Sequence, residues 1–127
     1  MKFPIFSKSE QKAILYVAAA IAFNDGWKDN DKRLLSAISH RFSFSNQEVV
    51  SAMAMEPKQA ILTVKSMDAH KKNLASCLFQ SAAMSDGNMS LGKPQWERYF
   101  EYAEECSLPM NIPFTEALNV SHQYLGC

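Results

Sequence analysis

The chain has 127 residues, 13 Lys and Arg against 13 Asp and Glu, and 47% hydrophobic residues, the composition of one compact globular domain rather than a disordered or fibrous chain. Zero formal net charge, with no dense Lys/Arg run, removes the long-range attraction that nucleic-acid and anionic-membrane binders use. Cys77, Cys106 and Cys127 cannot all pair within one chain and follow no zinc-ligand spacing, which fits a reducing cytoplasm.

Helix signals recur along the chain and no alternating strand pattern interrupts them, so about seven helices are expected. Ser7 with Glu10 forms a capping box, followed by Ile14, Val17, Ala18, Ile21 and Ala22 at helical spacing up to a stop at Asp25-Gly26. The apolar run Ala13 to Phe23 has the look of a secretory h-region, but Glu10 precedes it, it is rich in Ala rather than Leu, and 11 residues are too few to span a bilayer. Asp29 is expected to cap a second helix with Leu34, Leu35, Ile38 and Phe42 inward. Ser45 with Glu48 repeats the capping box for a short third helix, and Pro57 suits the first turn of a fourth, carrying Ala60, Ile61, Val64 and Met67. Asp68 caps a long fifth helix that ends at Asp86-Gly87. The sixth helix presents Trp96, Tyr99, Phe100, Ala103 and Cys106 on one face, and Pro113 opens the last.

The two Asp-Gly pairs are offset by 86 − 25 = 61 residues, and the same offset lays Val17 on Leu78, Ala18 on Phe79, Ile21 on Ala82 and Ile38 on Tyr99. The chain therefore holds two copies of one unit: apolar helix, Asp-Gly turn, second helix. Each hairpin leaves an apolar face that the other can cover.

The segments AAAIAFNDGWKDNDKRLLSAI (Ala18 to Ile38) and SAAMSDGNMSLGKPQWERYF (Ser81 to Phe100) resemble the tellurite-resistance TerB-like family. The resemblance implies an all-α compact bundle built from two related helical hairpins, spanning residues 1–127 as a single domain. It further implies no catalytic activity, a loose association with stress or tellurite resistance, and in some members acidic residues near the Asp-Gly turns that bind a divalent metal. Where the family pattern sets an acidic residue seven positions beyond each Asp, this chain has Lys32 and Lys93.

Asp25, Asp29 and Asp31, with Asn24 and Asn30, form the densest group of oxygen ligands, and Asp86 joins them as a candidate for Ca²⁺, Mg²⁺ or Mn²⁺. The spacing is not that of an EF-hand: counted from Asp25, position 6 is Asn30 where Gly is required and position 12 is Ser36 where Glu is required. Helix-end chemistry demands the same residues without a metal. GNMSLGK (Gly87 to Lys93) has P-loop spacing, but Pro94 replaces the Mg²⁺-binding hydroxyl and a helix precedes it. Neither His70 with Cys77, two turns apart, nor Ser66, Asp68 and His70, which straddle a helix cap, makes a catalytic set. Trp27, a large ring in a turn, and the Met-containing segment Ser51 to Glu56 are candidates for partner contact. The reading is a non-enzymatic cytoplasmic module that binds another protein or itself; the alternative is a divalent-metal binder.

Overall fold

The computed structural model describes residues 2–23, 29–84 and 94–126, leaving aside the side chain of Asn30. Among these residues the chain forms seven α-helices and no strand: α1 (Lys8–Ala22), α2 (Asp29–Arg41), α3 (Asn46–Met53), α4 (Pro57–Lys65), α5 (Ala69–Ala83), α6 (Pro94–Glu105) and α7 (Phe114–Leu125). No helix among them is long and apolar enough to cross a membrane.

The local start signals act as expected. Ser7 Oγ accepts from the Glu10 N–H at 3.2 Å while the Ser7 N–H donates to Glu10 Oε1 at 2.7 Å, and Ser45 with Glu48 repeats this at 3.2 and 3.0 Å. Each box satisfies donors that the first helical turn would leave without partners. Asp68 Oδ1 accepts from the Lys71 N–H at 2.9 Å, and Pro57 stands in the first turn of α4. Two starts differ. Asp29 is the first residue of α2 rather than its cap, where its carboxylate still favours the positive end of the helix dipole. Pro113 is the residue before α7 rather than its first.

At the centre lie α1 and α5, with eight and ten buried residues respectively. Their ends coincide under the repeat offset, since 69 − 8 and 83 − 22 both equal 61. Each also packs on the second helix of both units: α1 packs on α2, α3, α4 and α6, and α5 on α6, α7, α2 and α4, while α1 and α5 pack on each other. The units diverge after their second helices, where the first continues into α3 and α4 and the second into a loop and α7. Phe79, Ile14, Leu15, Ile21, Ile38 and Leu78 fill the core with no appreciable exposure. Ala18, Ala22, Ala82 and Ala83, equally buried, carry so little side chain that the two central helices can approach closely.

The buried face of α6 departs from expectation. Tyr99, Ala103 and Cys106 are buried as expected, joined by Gln95 and Tyr102, whereas Phe100 is 51% exposed. Tyr99 OH lies 3.0 Å from Ser76 Oγ on α5, while α6 also packs on α1. A helix wedged between two neighbours buries the arc between those contacts, and Phe100 lies roughly 100° round from Tyr99, beyond that arc.

Candidate functional site

Of the residues that the sequence nominates, Asp25, Trp27 and Asp86 lie outside the described residues, as does the segment 87–93. Asp29 is exposed and Asp31 is fully buried. Two positions apart on a helix, their side chains leave in different directions, and the first turn of α2 does not bring them to one point. Among the described residues no group of three or more His, Cys, Asp or Glu side chains is arranged to hold a metal ion.

A groove of about 550 Å³ lies beside the same turn, bounded by Phe23 at the end of α1, by α2 and by α3. Helices α2 and α3 each pack on α1, and the space between them is the groove. Leu15 forms its base, and Phe23, Leu35, Phe44, Val49 and Met53 its apolar walls. The α2 wall comes from Lys32, Leu35, Ser36, Ser39 and His40, a stripe at i, i+3, i+4, i+7 and i+8 that belongs to one helix face. The other side of α2 carries Ile38 and Phe42 into the core. Among the described residues that line the groove, Lys32 and His40 are the ones that can carry charge. At its edge Lys8 Nζ stands 5.1 Å from the centre of the Phe44 ring and pairs with Glu48 at 2.9 Å. Apolar surface continues over the outside of α3, where Val50 is 68% and Met53 38% exposed.

The sequence pointed to the Met-containing segment and to Trp27, but not to the α2 stripe. Ser36, Ser39 and His40 look like ordinary solvent-facing residues until α3 is set opposite them. The nearest sequence signal is Leu35, an apolar residue off the Ile38 line.

The thiols are poorly suited to nucleophilic work. Burial, reinforced by the negative charge of Glu116, pushes Cys77 up to about 11. Burial with Glu105 does the same for Cys106, also to about 11. Both are free and buried, and a thiol so shifted is protonated at neutral pH.

No family model matches the chain, and no curated protein matches it. Among solved structures, a protein of unknown function from Porphyromonas gingivalis W83 is similar, with a TM-score of 0.75 and 21% identity over 95% of this chain and 99% of that one. The fold is an all-helical bundle. At that identity the likeness speaks for the bundle alone and carries no activity with it.

Proposed function

We propose that this chain is a non-enzymatic interaction module, TerB-like in its duplicated plan, that binds another protein through the groove between α2 and α3. The observation that carries this reading is the continuity of that groove with the exposed Val50 and Met53. Singly exposed apolar residues are ordinary on a protein surface, but a grooved apolar patch with a polar rim marks a contact site. The flexible thioether of Met53 adapts to differently shaped partners. With Lys32 and His40 on the rim, the fitting partner presents apolar anchors beside an acidic residue. High thiol pKa values and scattered histidines support a non-catalytic role, and free buried thiols fit a cytoplasmic location. A link to stress or tellurite resistance would follow from the TerB-like plan.

The test compares the intact chain with the Val50→Asp, Met53→Asp double variant and with Leu62→Asp, which alters an exposed residue of α4 away from the groove. Affinity capture and sedimentation velocity should show a partner, or self-association, that the double variant weakens by about 2 kcal/mol or more and the α4 variant leaves alone. Association that is absent, or indifferent to both changes, sinks the reading.

A second reading, a divalent cation such as Ca²⁺ held by Asp25, Asp29, Asp31 and Asp86, draws on one observation: the carboxylate of Asp31 is fully buried in the first turn of α2. A carboxylate already drawn out of water can serve as an oxygen ligand for such a cation. Thermal unfolding of EDTA-stripped protein, with one cation at about 100 times its Kd, should then show stabilisation of about 2.7 kcal/mol, lost in Asp31→Asn. No shift with Ca²⁺, Mg²⁺ or Mn²⁺ removes it.

A further inference from the structure

We infer that the occupant of the groove between α2 and α3 is the exposed ridge of α6, centred on Phe100, of a second copy of this chain. The inference names a partner for the interaction role and rests on that role.

The groove calls for an apolar anchor beside negative charge, and the chain's own surface supplies one. Among the described residues the exposed large hydrophobics are Ile5, Val50, Met53, Leu62, Phe100 and Met110. Met53 lines the groove and Val50 continues it. Leu62 has Lys58 and Lys65 at i−4 and i+3 of its own helix, Ile5 stands between Lys2 and Lys8 in the chain, and Met110 lies in the uncharged stretch 107–112. Phe100 differs. Glu97, Glu101 and Glu104 surround it at i−3, i+1 and i+4 on one face of α6, and all three are exposed. Glu101 pairs with Arg98 at 3.4 Å, while Glu97 and Glu104 bracket the ring along the helix.

The anchor is also held ready. The Phe100 ring lies 6.0 Å from that of Trp96 and 5.3 Å from that of Tyr99, and Tyr99 OH is tied to Ser76 Oγ at 3.0 Å. A ring packed this way in the free protein has little freedom left to lose on binding. A groove of about 550 Å³ has room for one aromatic side chain. Seated against Leu35, Val49 and Met53, Phe100 would bring its carboxylates to a rim that carries Lys32 and His40.

The contact joins unlike faces. Helix α6 packs on α5, α1 and α4, and Phe100 remains 51% exposed, so a molecule does not fill its own groove. Two grooves face to face would set Lys32 and His40 against their own copies, and two ridges would oppose carboxylates. Ridge into groove is the pairing in which the charges attract. Because it is heterologous, it passes from copy to copy unless a ring closes.

Sedimentation velocity of the intact chain at low salt tests this. One helix face in one groove is a small contact, so the Kd should be on the order of 100 µM, and added salt should raise it. The groove variant Val50→Asp, Met53→Asp and the ridge variant Glu97→Lys, Phe100→Ser should each weaken association about 30-fold or more. Glu97→Lys, Glu104→Lys, which alters exposed side chains alone, should weaken it about threefold. Mixed in equal amounts, the groove and ridge variants should form a one-to-one complex with the parent's Kd, because each supplies the face that the other lacks. A chain that stays monomeric at about 1 mM, tenfold above that Kd, association that survives in either variant, or a mixture that does not associate would overturn the proposal. A monomeric chain that still captures another protein, in a manner lost in Val50→Asp, Met53→Asp, would overturn this pairing and leave the interaction role standing.

Discussion

Glu10 and Lys71 hold the same position in the two halves of the molecule, each the third residue of its helix, and they bind each other with Nζ 2.9 Å from Oε1. The pair ties the start of α1 to the start of α5. At these two positions of the offset the chain carries opposite charges; two like charges in their place would repel.

Both side chains are largely shielded, at 24% and 16% exposure, so the pair should count for more than a surface bridge. Lys71→Met should lower the urea unfolding free energy by about 1 kcal/mol. Glu10→Gln should cost more, because Glu10 also accepts from the Ser7 N–H. A double-mutant cycle showing no coupling between the two residues would contradict this.

Acid should find the same region. Burial pushes the Glu10 carboxyl up, but hydrogen bonds from Lys71 and Ser7 outweigh it and hold the group below its ordinary value of 4.5. At Glu48 the Ser45 backbone N–H, then Lys8, bring the carboxyl down to about 2. A carboxyl lowered in the folded state stabilises above its unfolded pKa, and that stability is lost as pH falls through the folded value. Urea midpoints should therefore fall between pH 4.5 and about 2, and more gently in the Glu48→Gln, Lys71→Met double variant. An equally steep fall in that variant would assign the acid limb to other groups.

Phe79 is the largest fully buried side chain, and it sits on α5 where helices of both units converge. Phe79→Ala should cost about 3–5 kcal/mol, the transfer of the ring plus the cavity it leaves. Ala18, its counterpart at offset 61, has no exposure and no room to grow: Ala18→Leu should cost about 1–3 kcal/mol through overpacking. Equilibrium urea curves measure both, and a stable Ala18→Leu protein would mean that the central helices are less close than described.

With Cys127 changed to Ser, Cys77 and Cys106 should react with a disulfide reagent at pH 8 roughly two orders of magnitude more slowly than free cysteine, given pKa values of about 11 against an ordinary 8.5. Denaturant should release both. Fast stoichiometric labelling of the folded protein would expose a nucleophile and reopen catalysis.

What could be read in the sequence was local or periodic. Ser7, Ser45, Pro57 and Asp68 announce helix starts because a cap needs only residues within one turn. The offset of 61 was visible because a repeated burial pattern repeats apolar positions. The exposure of Phe100 was not visible, since it depends on α1 and α5 both flanking α6. The groove escaped for the same reason: Ser36, Ser39 and His40 become a wall only when α3, a chain turn away, stands opposite. Glu116 and Cys77, 39 residues apart, share a cleft that only the docking of α7 on α5 creates. Asp29 and Asp31 were legible as helix-start chemistry, but no spacing rule says which of the two turns inward.

The edge-on packing of Phe3 against Tyr124 sets the segment before α1 against the last helix, with the boundary between the two units at residues 66–68. The order of the units along the chain is thus incidental to the packed form. A circular permutant that joins the Phe3 and Tyr124 ends through a short flexible linker and opens ahead of Asp68 would begin with α5 and finish with α4, while keeping every helix whole and every central interface intact.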